Sequence, residues 1–348
     1  MSLPLHDRCG AVHVHSVQSD GSATIPEIIQ TAQAAELDFL ILTDHARRQR
    51  QDVHWQGWHE ELLVIVGAEV ETTDPAHVVV LGTKDAASLR GMSTAECLSE
   101  IKARGGYSFV AHPRGKKMIH LDVPGWTAWD NPDYTGIEFW SYMHDWIEEF
   151  KWRRLWRFYR KPHREITGPH PEVLAAWDRV AMTRRVSGIA GLDAHAKPLV
   201  GAWFEFFPYQ MLFGTTLTHV LVEDFSGDDD ADVRRILEAL AVGRCYVGYH
   251  VLGDPTGFDF RARTASGESQ MGEEVKLAES LVLCVSLPAA GEIRLVACGE
   301  AAAEARGTQA EFRPTRPGPH RIEVRSNSRP WIFSNYIYVT DERAAGCA

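Results

Sequence analysis

Cysteine is sparse and unpaired in this chain. Six residues, at positions 9, 97, 245, 284, 298 and 347, are scattered through 348 with no C-x-x-C spacing. That argues against a disulfide framework and against a cysteine-based zinc site. No uninterrupted apolar run is long enough to span a bilayer, so no membrane association is expected. The opening residues Met1 to Cys9 lack the apolar core of a signal peptide. The expectation is a soluble cytoplasmic protein with reduced thiols. Excess positive charge is also missing: 36 Lys and Arg stand against 47 Asp and Glu, a net of −11. That argues against a general phosphate-backbone binder, and no stable nucleic-acid complex is expected, although a local basic cleft can still hold one phosphate. Neither G-x-S-x-G nor a Cys-His signature occurs, which leaves water as the natural nucleophile for any hydrolysis. No repeat or low-complexity tract is present, and oligomeric state leaves no mark on the sequence.

What is present is a chain 45% hydrophobic, enough for a sizeable core, with apolar runs alternating with helical patterns. Ala11–His15, Asp38–Thr43, Leu63–Gly67, Val78–Leu81, Tyr107–Ala111, Ile137–Trp140 and Ser187–Gly191 read as strands. Asp38–Thr43 is nearly continuous in apolar character, as a parallel strand buried on both faces should be. Thr24, Pro26 and Glu27 predict a capped helix start, and Ser93–Arg104 and Asp229–Val242 read as helical connections. This alternation predicts an α/β barrel-like domain over residues 1–252.

Residues 144–180 interrupt the pattern. Lys151–Arg160 is crowded with Trp and Arg, but Asp145, Glu148 and Glu149 lie beside it. An amphipathic helical insertion, its cations paired and covering aromatics, fits better than a nucleic-acid surface. From residue 253 the helical pattern disappears. Short runs at Phe258–Ala262, Leu281–Leu287, Glu292–Ala297, His320–Arg325 and Trp331–Val339 predict a small antiparallel β-sandwich over 253–348.

The polar residues carry the most information, because they recur where strands end. They are His13-Val14-His15-Ser16 with Ser19-Asp20-Gly21, then Thr43-Asp44-His45, Glu69, His77, His112-Pro113-Arg114, Glu138, and Asp193-Ala194-His195. Imidazole and carboxylate suit borderline and hard divalent metals. The C-terminal ends of barrel strands form the face where such folds place their chemistry. His13 and His15 alternate on a strand and should share a face; Asp193 and His195 repeat that spacing. Each cluster has an ordinary reading too: surface histidines, a helix cap at Asp44, a loop acid at Glu69, a core histidine at His77. All of them falling on one face by accident is improbable. Arg114 beside His112 could stabilise a phosphoryl oxygen, or be a plain surface residue.

Taken in order, H-x-H-S, S-D-G, T-D-H, G-x-E, H, A-H-P and G-x-D-A-H resemble the PHP (polymerase and histidinol phosphatase) superfamily from residue 11 to about 195. The later features, Gly243–Gly248 and Trp331–Val339, resemble its two-domain CehA/McbA-type metallohydrolases. The resemblance implies a distorted (β/α)7 TIM-like barrel holding two to three divalent ions, Mn, Fe or Zn. It implies a first ion at His13, His15, Glu69 and Asp193. It implies a second at Glu69, His77 and His112, with Glu69 bridging, and a third at Asp20, His45 and His195. Asp44 is expected to orient a histidine. Glu138 occupies a familiar G-x-E position without a decided role. Leu192 stands where the family often has Ser, which bears on the hydrogen bonding around the ligands.

The expected activity is that of a metal-dependent phosphoesterase, with a hydroxide bridging the first two ions attacking a small phosphate ester or short nucleotide. Arg114 would neutralise charge, and His195 or His45 would protonate the leaving alkoxide. The same centre could polarise a carbonyl, giving an ester, carbamate or amide hydrolase. A non-catalytic, metal-stabilised binding protein is the third possibility.

Overall fold

The computed structural model describes residues 4–46, 53–74, 76–118, 121–123, 125–149, 162–166, 168–197 and 207–341. The expected strands form: Phe39–Leu42, Leu62–Val66, His77–Leu81, Tyr107–Val110, Gly136–Ser141 and Ser187–Gly191 lie close to their predicted bounds, while the first, His6–Val14, begins five residues before the predicted Ala11. Phe39–Leu42 is buried along its whole length, as an apolar run covered on both faces must be. The helix Ile25–Ala34 starts where the sequence signals it, with the Thr24 N–H donating to the Glu27 carboxylate at 2.8 Å. Ser93 and Glu96 cap Thr94–Ala103 in the same way. Asp229–Val242 ends on Gly243, whose φ of 81° is the left-handed cap that glycine adopts without strain.

The class is α/β, but the sheets are mixed. Among the described residues one sheet has 14 strands and another five. Parallel pairing joins His6–Val14 to Phe39–Leu42, and Phe39–Leu42 to Leu62–Val66. In the second sheet it joins Tyr107–Val110, Gly136–Ser141 and Ser187–Gly191. Ala68–Glu71, His77–Leu81 and Tyr107–Val110 run antiparallel, and Thr216–Val222 pairs antiparallel with His6–Val14. No ladder closes the described strands into a barrel. The two sheets meet at the isolated bridges Val14–Ala194 and His45–Glu69, and both seams lie among the polar clusters.

The residues from 253 onward form mainly antiparallel strands, chiefly Val282–Ala297, Glu300–Phe312 and Gly318–Ser326, but Glu274–Lys276 pairs parallel with Ile337–Thr340, a departure from the expected antiparallel arrangement. Phe260, Leu283, Ile322 and Ile332 belong to a core of their own. The same sheet nonetheless continues into the first part of the chain, because Arg329–Ser334 pairs with Cys245–Tyr249. Two buried polar staples reinforce the junction. Arg321 grips Asp178 through two hydrogen bonds of 2.8 and 2.9 Å, with the Tyr336 hydroxyl donating to the same carboxylate. Asn335 accepts from the Gly188 N–H and donates to the Gly188 and Cys245 carbonyls.

Of the expected insertion, Tyr142–Glu149, Pro162–Glu165 and Pro171–Ala181 are helical; Lys151–Arg160 lies outside the described residues. No described helix is long and apolar enough to cross a membrane.

Candidate metal centre

Nine side chains named from the sequence converge at one end of the sheets: His13, His15, Asp20, His45, Glu69, His77, His112, Asp193 and His195. They arrive there because the parallel strands all end on this side, while His77 opens an antiparallel strand and so reaches the same end. Nearly all are buried: His13 and His15 are fully covered and Glu69 is 1% exposed.

Within this cluster His13 Nε2 lies 3.5 Å from Glu69 Oε2 and 3.5 Å from Asp193 Oδ1. His15 Nε2 lies 3.4 Å from each of the same two oxygens. Four donors around one ion at ~2.1 Å in a tetrahedron would stand ~3.4 Å apart. Both imidazole nitrogens are buried and lack a hydrogen-bond partner. Buried polar atoms are ordinarily satisfied, so orphaned nitrogens facing two carboxylate oxygens at coordination spacing fit a divalent ion.

Glu69 serves two groups. Its Oε2 faces His13 and His15, while its Oε1 lies 2.8 Å from His77 Nδ1 and 3.0 Å from His112 Nε2. This is the arrangement a bridging carboxylate needs. A third group gathers on Asp20 Oδ1, with His195 Nε2 at 3.0 Å, His45 Nε2 at 3.5 Å and His15 Nδ1 at 3.8 Å. Lys197 holds the other Asp20 oxygen at 2.7 Å.

The convergence is not simple strand alternation. The His6–Val14 ladder shifts register between Ala11 and Val14, and His13 has φ of 67°. Asp193 at 52° and His112 at 27° are also in the left-handed region. Three ligand-type residues thus carry uncommon backbone conformations, the kind that cluster at functional sites. Asp193 and His195 follow the strand Ser187–Gly191 rather than lying on it: Asp193 faces the first group and His195 the third.

Glu138 has a definite place. Its Oε1 accepts from His13 Nδ1 at 2.7 Å and its Oε2 from the His112 N–H at 3.1 Å. With the Nδ1 proton held there, His13 is left with Nε2 as the atom that would bind an ion. Gly191 makes room for this carboxylate, since a Cβ on Gly191 would lie 2.3 Å from Glu138 Oε1. Asp44 departs from expectation. Its described hydrogen bonds go to the Ser16 N–H, the Ser16 hydroxyl and the Ser19 hydroxyl, so it fixes the loop that carries Asp20 rather than a histidine. Arg114 stands at the surface, its Nε 3.5 Å from Glu172. Leu192 is fully buried.

Two participants escape sequence reasoning. His144 Nε2 donates to Asp193 Oδ2 at 2.9 Å, and its ring stacks on His112 with centroids 4.1 Å apart. It follows a strand end by three residues, the signal shared by the other clusters, but reads as the start of the insertion. The Tyr209 hydroxyl donates to the His15 and His195 carbonyls and so joins two ligand-bearing loops.

Electrostatics follow from this crowding. Burial alone would raise the Glu69 carboxyl, but the imidazoles of His13 and His77 outweigh it and hold it well below its ordinary value. Asp193 is depressed in the same way, with His195 the largest opposing influence. Burial also works against a proton on His13, His77 and His195, yet neighbouring carboxylates raise all three. His15 and His112 are pushed down to about 4, first by burial and then by the neighbouring His195 and His144 respectively.

The PHP domain family model matches residues 11–114, so the motif resemblance holds over the segment from His13 to Arg114. No curated protein matches the sequence. Among solved structures the chain is similar to a two-domain protein from Bacteroides vulgatus containing a predicted PHP-like metal-dependent phosphoesterase. That pair shares 15% identity over 97% of this chain and 98% of the other, with a TM-score of 0.47. It is also similar to PsfC from Pseudomonas syringae, at 15% identity, 69% and 90% coverage and a TM-score of 0.44. An amidohydrolase from Chromobacterium violaceum aligns at 16% identity, 53% and 87% coverage and a TM-score of 0.33.

Proposed function

We propose that the chain is a metal-dependent hydrolase and that its substrate is a small phosphate ester or short nucleotide. The observation that carries this reading is the pair of orphaned nitrogens on His13 and His15, set at coordination spacing from Glu69 and Asp193. The PHP family match over residues 11–114 supports it. His13, His15, Glu69 and Asp193 would hold a first ion. Glu69, His77 and His112 would hold a second, and Asp20, His45 and His195 a third. Bound divalent ions supply Lewis acidity and water that ionises near neutral pH. Mn, Fe and Zn all suit a nitrogen and oxygen donor set without sulfur.

The chain's own residues would do the rest. Glu138 keeps His13 in one tautomer, and Asp44 keeps the Asp20 loop in place. His195 donates Nδ1–H to the Asp193 carbonyl at 2.9 Å, which fixes its ring and leaves Nε2 directed at Asp20. When the third ion is absent, a proton on Nε2 of His195, or on His45 beside the same carboxylate, would pass to the leaving alkoxide. Arg114, two residues beyond His112, would exchange Glu172 for a phosphoryl oxygen. The finer architecture belongs to the same proposal: a distorted barrel over residues 1–252, a β-sandwich over 253–348, and a cytoplasmic setting.

A panel of phosphomonoesters, phosphodiesters and aryl carboxylic esters tests this, using metal-loaded protein. Turnover of the phosphate esters alone is expected. Turnover of the carboxylic esters alone would overturn the substrate assignment and favour carbonyl hydrolysis on the same centre.

A further inference from the structure

A second group of metal-type donors lies outside this centre. Cys9 and His219 are register partners on the antiparallel strands His6–Val14 and Thr216–Val222, and His250 follows the strand Cys245–Tyr249. Cys9 lies more than 200 residues from both histidines, so the scattered cysteine spacing hides the group. His250 Nε2 is 3.6 Å from Cys9 Sγ and 2.9 Å from His219 Nε2. The three donor atoms all lie within 4.8 Å of one another. Cys9 is four residues before His13, ~13 Å along a strand, and none of the three residues belongs to the donor groups of the main centre.

The spacing and the surroundings both suit an ion. A tetrahedral zinc with Zn–S of ~2.3 Å and Zn–N of ~2.05 Å separates sulfur from nitrogen by ~3.5 Å and nitrogen from nitrogen by ~3.3 Å. The observed 3.6 Å matches the first figure, and the 2.9 Å imidazole pair needs to open by only a few tenths of an ångström. His219 is fully buried, and Asp7 accepts its Nδ1–H at 2.9 Å. Its Nε2 faces His250 Nε2 at 2.9 Å and lies within 4.8 Å of Cys9 Sγ. A carboxylate behind a histidine is the usual support of a metal-bound imidazole. Asp7 is itself anchored by the Gly257 N–H at 3.0 Å and by the Tyr246 hydroxyl. Cys9 and His250 open on a cleft of about 730 Å³ that Gln30, Asp38, Phe213 and Asp254 also line.

We propose that Cys9, His219 and His250 form a separate zinc-type site, with its fourth position open to this cleft. The site clamps the first strand to the segment that leads into the C-terminal strands. Its chemistry would differ from that of the main centre in one decisive way: a bound ion would take a cysteine sulfur as a ligand.

The full chain titrated with Co²⁺ tests this, because only a thiolate ligand gives the near-ultraviolet sulfur-to-cobalt charge-transfer band. The wild type should develop the band, and Cys9→Ser should lose it together with about one zinc per chain, while the main centre keeps its ions. Absence of the band at saturating Co²⁺ would reduce the cluster to a hydrogen-bonded histidine pair. Persistence of the band in Cys9→Ser would assign it to another thiol, and either result overturns the proposal. Should Cys9→Ser fail to fold, His250→Ala at its partly exposed position should weaken or remove the band; an unchanged band there also overturns it.

Discussion

Replacing Glu138 by Gln tests how the first ion group is organised. The carboxylate is fully buried and accepts two hydrogen bonds, from His13 Nδ1 and from the His112 N–H. A carboxylate has two acceptor oxygens for these two donors. An amide has one oxygen and one NH2, so in either orientation it sets a donor against a donor. Losing a hydrogen bond to a charged group costs about 1.5–3 kcal/mol, and removing a carboxylate behind a ligating histidine lowers metal affinity about 10–100-fold. The two figures agree, since a tenfold change is ~1.4 kcal/mol. Glu138→Gln should therefore weaken the tightest metal-binding step about 10–100-fold while leaving the number of bound ions unchanged at saturation. Competition against a chromophoric chelator measures both. Affinity within about twofold of wild type would refute the orienting role. Loss of an ion at saturation would make Glu138 a direct ligand instead. Gly191→Ala should act in the same direction, because its methyl group would displace the Glu138 carboxylate.

Two further outcomes are expected. Arg321→Met leaves Asp178 buried with its charge uncompensated, which should cost about 3–5 kcal/mol in urea unfolding, and adding Asp178→Asn should recover much of it; an unchanged midpoint in the single variant would contradict this. Metal loading near neutral pH should release protons, because the carboxylates around His13, His77 and His195 raise their affinity for a proton in the metal-free protein. The sign follows from competition: below their raised values protons hold the imidazoles, so apparent metal affinity rises with pH until they are empty. Calorimetry in buffers of different ionisation enthalpy reads this directly, and buffer-independent heats would contradict it.

The site was more legible in the sequence than its geometry. Short clusters at strand ends named nine residues that converge, because a parallel strand delivers whatever follows it to one side. The means of convergence was hidden, since left-handed φ at His13, His112 and Asp193 is a tertiary constraint on residues whose type does not advertise it. His144 was missed because an aromatic and basic stretch follows it and claimed it for an insertion. Asp44 reads as the partner of a histidine, whereas it accepts hydrogen bonds from serines in the preceding loop. In the fold, the antiparallel pairings within residues 1–252 are not legible, because a buried strand reads alike in either direction. Glu300–Phe312, rich in Ala and Glu, lacks β-type composition and becomes a strand through its pairing with Val282–Ala297.

The central claim is that buried imidazoles and carboxylates around Glu69 hold divalent ions that the hydrolytic reaction requires. Metal analysis of the purified full chain, paired with hydrolysis before chelation, after chelation and after re-addition of Mn²⁺, Fe²⁺ or Zn²⁺, tests it most directly. The account predicts two or more ions per chain, loss of turnover on chelation and recovery on re-addition, with Glu69→Gln folded but inactive. A well-folded, metal-free wild-type protein that binds none of these ions, or hydrolysis indifferent to chelation, would contradict it.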